Sequence, residues 1–239
     1  MTWSIVAHDA VSGAFAVAVT TCAFAVGASC PYVRAGVGAV STQSMTNRYL
    51  GPAVLDGLAR GLSPAAAIEG ALAGDEGKGL RQIHAVDRHG RSAAFTGANC
   101  VEWCGEIASR GFSVAGNMLA GPAVVADTHA AFLAHGALPL PERLLAALDA
   151  GEAAGGDRRG RQSAALVMVT TEDFPDLSLR VDDHADPLAE LRRLYAIWQR
   201  DRAPMLPDQP SKARPSGMID MDAIETRWAR QGLGLRFRR

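Results

Sequence analysis

Three stretches of the chain, AFAVAV (14–19), AGVGAV (35–40) and SAALVMV (163–169), are strand-like and apolar on both faces. A strand that shows no polar face cannot lie against water on either side, so each must sit in a sheet covered above and below. Helical segments separate the strands in groups. TWSIVA, AFAVAVT and AGVGAVSTQ come first, then the helical GPAVLDGLARG and PAAAIEGALAG. RQIHAVD, RSAAFTG and FSVAGNML follow, then two further helices, then SAALVMVTT, SLRVDD and the helix PLAELRRLYAIWQR. Runs of strands alternating with helix pairs argue for α+β rather than a doubly wound parallel sheet. Two sheets packed on each other with helices outside would cover every apolar face. This predicts a four-layer αββα sandwich.

Local signals agree. HDAVSG is turn material and predicts a hairpin of the first two strands, and RHG predicts another at 88–90. Ser63 followed by Pro64 reads as a helix N-cap. Pro141 suits a helix start and Gly151 a stop. GASCPYVRAG reads as a connection, and STQSMTN as the polar end of the third strand. Residues 1–200 are expected to form this domain. Residues 201–239 change character: APMLPDQPSKARPSG is a proline-rich linker, IDMDAIETRWARQG is expected to form one short helix, and LRFRR ends a C-terminal arm.

The formal net charge is −1, so no nucleic-acid or membrane surface is expected. No apolar run reaches the roughly 18 residues needed to span a bilayer. The first residues lack a basic stretch followed by an apolar core, so a cytoplasmic location is expected. The four cysteines are expected to be free thiols. Cys100 and Cys104 have a spacing that zinc accepts, but a second pair is missing, because His129 and His135 would point apart on a helix. No metal and no other cofactor is expected. Asp182, Asp183, His184 and Asp186 read as a helix cap and arginine partners rather than a cation site. His84 and His89 read as structural or exposed residues flanking a turn.

MTWSIVAHD, AVTTCAFAVGASCPYVRAGVGAVSTQS, DRHGRSAAFTG, GNMLAGP, GGDRRGRQSAALVMV and VDDHADPLAELRRLY follow one another in this order. In these motifs, from Met1 to about Tyr195, the chain resembles the bacterial proteins catalogued as domain of unknown function 1028. That family is similar in fold to N-terminal nucleophile (Ntn) hydrolases, so the resemblance implies an Ntn-hydrolase-like architecture. It does not supply a reaction.

Thr2 is the first candidate catalytic residue. Were Met1 removed, its α-amine, titrating near pH 8, could take the proton of its own hydroxyl and release an alkoxide onto an amide carbonyl. Threonine-dependent members of the wider superfamily place a lysine on a neighbouring strand. This chain has only Lys78 and Lys212, neither on the early strands, and carries Thr20, Thr21 and Cys22 there instead. Ser41 and Gln43, at a strand end, could present a hydroxyl and an amide to a ligand. Asn117 could help form an oxyanion hole. In GGDRRGRQS, Asp157 could hold an arginine or orient the Thr2 amine, and Arg159 and Arg161 could bind a carboxylate bidentately. Arg34 and Arg48 are further anion-binding candidates.

The resulting expectation is an amidohydrolase acting on a small, carboxylate-bearing amide, in a homodimer. Two alternatives stay open: a cyclohydrolase-like enzyme in which Ser41 and Asp157 act and Thr2 does not, and a non-catalytic ligand-binding or assembly protein.

Overall fold

A computed structural model of the chain describes residues 2–233. It is α+β, with two antiparallel sheets and helices. The strands are β1 (Thr2–His8), β2 (Phe15–Thr21), β3 (Pro31–Arg34), β4 (Gly38–Ser44), β5 (Arg81–Asp87), β6 (Ser92–Thr96), β7 (Gly105–Ser109), β8 (Phe112–Asn117), β9 (Ser163–Val169) and β10 (Leu177–Val181). The helices are α1 (Leu50–Ala59), α2 (Pro64–Leu72), α3 (Pro122–Ala134), α4 (Leu140–Ala153), α5 (Pro187–Asp201) and α6 (Met221–Arg230). One sheet runs β10-β9-β2-β1-β8-β7 and the other β3-β4-β5-β6.

Each sheet packs on the other by one face and on a helix pair by its second. Leu50, Val54, Leu55 and Leu58 of α1 join Ala67, Ile68 and Leu72 of α2 over Val40, Ile83 and Ala85 of the smaller sheet. On the larger sheet, Phe112 meets Phe132 of α3 with ring centroids 4.5 Å apart. Trp3, fully buried, faces α4 at Gly151. Between the sheets lie Val6, Phe15, Val17, Ala39, Val86 and Val169. Burying such side chains is worth about 1.5–3 kcal/mol each. These covered faces explain why most of β2, all but the first residue of β9, and the Gly38–Val40 start of β4 are apolar on both sides.

The expected hairpins form: β1 pairs with β2 and β5 with β6, both antiparallel. Ser63 caps α2, its Oγ accepting from Ala66 N at 3.3 Å. Gly151 corrects its expected role. It lies inside α4, where an added Cβ would stand 2.2 Å from Thr128 Oγ1 and 2.8 Å from Trp3 Nε1. The glycine is there for close packing, not to stop the helix. The GASCPYVRAG connection contains β3, and β7 precedes β8; both are short edge strands. STQ forms the polar end of the third strand as expected, within β4, which runs one residue further to Ser44.

The chain divides into two compact units, with the boundary between Leu191 and Arg192. In the second unit, a 3₁₀ turn at Ala203–Asp208 precedes α6. There Asp208 is buried, accepts a 2.8 Å bond from Trp228 Nε1 and pairs with Arg227. The state of Met1 and the final LRFRR lie outside the described residues. No helix among those residues is long and apolar enough to cross a membrane.

Candidate functional site

Strand alternation puts Thr2 and Ser4 of β1 on the face that meets the other sheet, with Trp3 and Ile5 on the helix face. The same alternation sends Ser41 and Gln43 of β4, Gln82 and His84 of β5, and Ser113 and Asn117 of β8 into the interlayer. All are buried. The interlayer is therefore apolar at one end, around Val6, Phe15 and Val17, and polar at the other, where β1 starts and β4 and β8 finish.

The polar end is a connected network. Gln43 Nε2 donates to Gln82 Oε1 at 2.8 Å and to Ala115 O at 3.0 Å, and lies 3.3 Å from Thr2 O. Asn117 Nδ2 donates to the same Gln82 Oε1 at 2.9 Å and reaches Thr2 O at 3.4 Å. Gln82 Nε2 donates to Gly116 O at 2.8 Å and Thr96 Oγ1 at 2.9 Å. Ser4 Oγ donates to Gln43 Oε1 at 2.7 Å and lies 3.0 Å from Ser41 Oγ. With the Ser4 proton so used, the 2.8 Å contact to His84 Nε2 requires the ring N–H to donate to Ser4. His84 is then a neutral imidazole. Burial pushes its pKa down to about 3, opposed only by the Ser113 backbone, and Nδ1 has no partner in hydrogen-bond geometry. His84 lies in mid-strand and fully buried, not beside a turn as its position in the sequence suggested.

Thr2 holds the outer edge of this network. It pairs with Asn117 across the β1–β8 ladder, and its hydroxyl is 3.3 Å from Thr21 Oγ1 at the end of β2. Its carbonyl faces the Gln43 and Asn117 amides. It is 5% exposed. The residues that follow Gln43 and Asn117, Ser44 and Met118, both have positive φ, +74° and +56°. Such conformations cost non-glycine residues about 1–3 kcal/mol and cluster where surrounding structure fixes a site.

Asp157 is also buried beside this end. Its Oδ2 accepts from Cys22 N at 2.8 Å and Arg159 Nη2 at 3.1 Å, and its Oδ1 from Arg159 N at 2.9 Å. Asp157 thus ties the segment after Thr21 to the GGDRRGRQS loop. Arg159 is half-exposed beside it. Arg161 points elsewhere, to Glu152 at 2.5 Å and Asp186 at 3.4 Å. Burial raises the Glu152 pKa, which Arg161 opposes. Asp186 also caps α5, accepting from Ala189 N at 3.2 Å.

The structure brings together Thr2, Ser41, Gln43, Asn117 and Asp157, with Arg159 at the rim. It does not bring in Arg34. Arg34 pairs with Gly38 at the far end of β4 and bonds Asp56 at 2.9 Å. Five residues of strand separate Gly38 from Gln43, roughly 17 Å. Neither the 240 Å³ cavity beside Arg34 nor a 430 Å³ cavity between α2 and β6 is lined by Thr2. Ser4 and Gln82 belong to the network although the sequence reading gave them no role; Thr21, named from the sequence as standing in the place of a lysine, joins them. The available signal was polar residues at i, i+2 spacing inside otherwise apolar strands. Among the described residues, no group of three or more His, Cys, Asp or Glu side chains could hold a metal ion.

The model of a family of unknown function, DUF1028, matches residues 2–191. The crystal structure of protein SPO2555 from Silicibacter pomeroyi, described with the same family, is similar to this chain. The similarity covers 92% of this chain and 96% of that one, with 31% identity and a TM-score of 0.85. No curated protein matches the chain.

Proposed function

The chain belongs to the DUF1028 family, and from that premise we propose an Ntn-type amidohydrolase on a four-layer αββα scaffold, acting on a small, carboxylate-bearing amide. The observation that carries the reading is the placement of Thr2. It begins the central strand β1 on the interlayer face, its carbonyl held between the Gln43 and Asn117 amides and its hydroxyl turned to Thr21. A residue with its main chain fixed on two sides presents its oxygen in one geometry, which lowers the entropic part of the barrier.

In this mechanism Met1 is removed. The freed α-amine takes the hydroxyl proton as Oγ1 attacks the amide carbonyl, and returns it to the leaving amine. Water then hydrolyses the ester. Gln43 and Asn117 act as positioning residues. Because the Asn117 amide is already engaged by Thr2 O and Gln82, the oxyanion falls to backbone N–H groups rather than to this side chain. Asp157 positions the Thr21–Cys22 turn, and Arg159 binds the substrate carboxylate. Arg161, engaged by two carboxylates, is a weaker candidate for that task.

One observation favours the non-catalytic alternative: Thr2 is nearly buried, so a substrate must displace whatever covers it. Mass spectrometry decides between them. Untagged protein is expected to lack Met1 and to gain one covalent β-lactone adduct, mapped to residue 2 and absent from Thr2→Ala. Full retention of Met1, or equal labelling of the variant, overturns the hydrolase reading.

A further inference from the structure

The 430 Å³ cavity is a cleft between a helix and a sheet edge, away from Thr2. Ala65, Ile68, Glu69, Leu72 and Ala73 of the α2 region form one wall; Ala94, Phe95 and Lys78 form the other. Its size is that of a ligand site, and its lining is mostly apolar.

The wall made by β6 has a specific chemistry. β6 ends the four-stranded sheet, and among the described residues no strand lies outside it. The β5–β6 register aligns Ile83 with Phe95 and Ala85 with Ala93. Gly97 N donates to Arg81 O, and Asp87 N to Arg91 O, each at 2.9 Å. In an antiparallel ladder the bonded pairs alternate, so residues 83/95 and 85/93 are bonded pairs like 81/97 and 87/91. The N–H and C=O groups of Ser92, Ala94 and Thr96 therefore point outward, and Ala94 is a cleft residue. The β10 edge lacks this combination. β10 is fringed by the Arg180–Asp182 ion pair and by the 25–28 turn, whose Ala25 N donates to Asp182 O.

Lys78 supplies a charge at one end of the cleft. Gly97, just past β6, sits tightly against the Lys78 and Gly79 carbonyls, so the lysine belongs to the Thr96 end of the strand. No described residue forms an ion pair with it. Glu69 lies about one helical turn back along α2 from Ala73, so a second acidic group there is disfavoured.

The geometry points to a docking site for an extended peptide, added as a fifth strand on β6. An apolar side chain fits between Ile68, Leu72 and Phe95, and the terminal carboxylate meets Lys78. Strand addition supplies affinity through main-chain hydrogen bonds and specificity through alternate side chains. With its carboxyl end at Lys78, the peptide runs parallel to β6.

The test is fluorescence anisotropy of the full chain with fluorescein-labelled hexapeptides ending in Leu, Val, Ile or Phe. Each is made with a free carboxylate, with a C-terminal amide, and with alternate backbone nitrogens methylated. The free-carboxylate form should bind, and amidation, N-methylation, Lys78→Glu and Ala94→Pro should each weaken it about tenfold. Ala94 N–H does not serve the β5 ladder, so proline there should leave the fold intact; an unchanged circular dichroism melt checks this. Absence of binding by every peptide up to about 1 mM, or binding indifferent to N-methylation, overturns the proposal. So does a dimer that Ala94→Pro converts to monomer, because the edge would then serve a second copy of the chain.

Discussion

Replacing Gln82 by leucine tests whether the interlayer network holds the candidate site together. The Gln82 side chain is fully buried and joins three other side chains and the Gly116 carbonyl through both ends of its amide. Leucine of similar volume leaves Gly116 O without its 2.8 Å donor. It also leaves Asn117 Nδ2 with only the 3.4 Å contact to Thr2 O. Gln43 Nε2 keeps Ala115 O, so it is not stranded. Gly116 O keeps its place in the β7–β8 ladder, so one buried amide is stranded at about 1–3 kcal/mol; the other lost Gln82 bonds cost about 1 kcal/mol and burying leucine returns about as much, a net loss of about 1–3 kcal/mol. At roughly 2–4 °C per kcal/mol for a chain of this size, Tm should fall by roughly 2–12 °C. Urea unfolding followed by circular dichroism gives the same quantity by linear extrapolation. Asn117→Leu alone should cost less, about 1–2 kcal/mol, because Gln82 Oε1 keeps Gln43 Nε2 as a donor. The double variant should lose less than the sum, because Asn117→Leu removes the Nδ2 group that Gln82→Leu strands. A single-variant loss under about 1 kcal/mol, or strict additivity, refutes the reasoning.

Other perturbations follow from the same structure. Because burial holds the His84 pKa near 3, the unfolded chain binds a proton below pH ~6.5 that the folded chain refuses. Stability is thus complete above that pH and falls by roughly 2 kcal/mol on going to pH 5; His84→Gln should flatten this slope in urea titrations, and an unchanged slope refutes it. Gly151→Ala should destabilise by about 1–3 kcal/mol through the Thr128 and Trp3 contacts, read as a lowered urea midpoint; an unchanged midpoint rejects the packing role. Asp157→Ala removes acceptors from Cys22 N and Arg159. It should speed hydrogen exchange at Cys22 while leaving β5 protection intact, and protection unchanged at Cys22 would count against the tie.

The α+β class and both hairpins were legible because period-two alternation and turn chemistry are local. The short edge strands were not. β3 opens on a proline, and β7 is five residues long with a carboxylate, Glu106, at its second position. STQ was legible as the polar end of a strand, but its partners were not. Inside β4, Ser41 and Gln43 are satisfied by Ser4, Gln82 and Ala115, partners 37 or more residues away in sequence. Nothing local encodes such pairing. Thr2, Ser41, Gln43, Asn117 and Asp157 were named from the sequence and stand together. Arg34 was named for the same task and stands at the far end of its strand, since residue type says nothing of which end of a sheet a charge will occupy.

The division of the interlayer into an apolar half and an amide half bears on alignment. Valine and phenylalanine contacts are indifferent to small slides, whereas Gln82 Oε1 can receive both Gln43 and Asn117 in only one setting of the two sheets. The aliphatic half supplies cohesion, and the amide half acts as the key that selects one setting. Replacing all the amides at once by well-fitted hydrophobes should therefore give a protein no less stable but less uniquely ordered, with broadened amide resonances in its NMR spectrum. Repacking Val6, Val17 and Val86 should leave those resonances sharp.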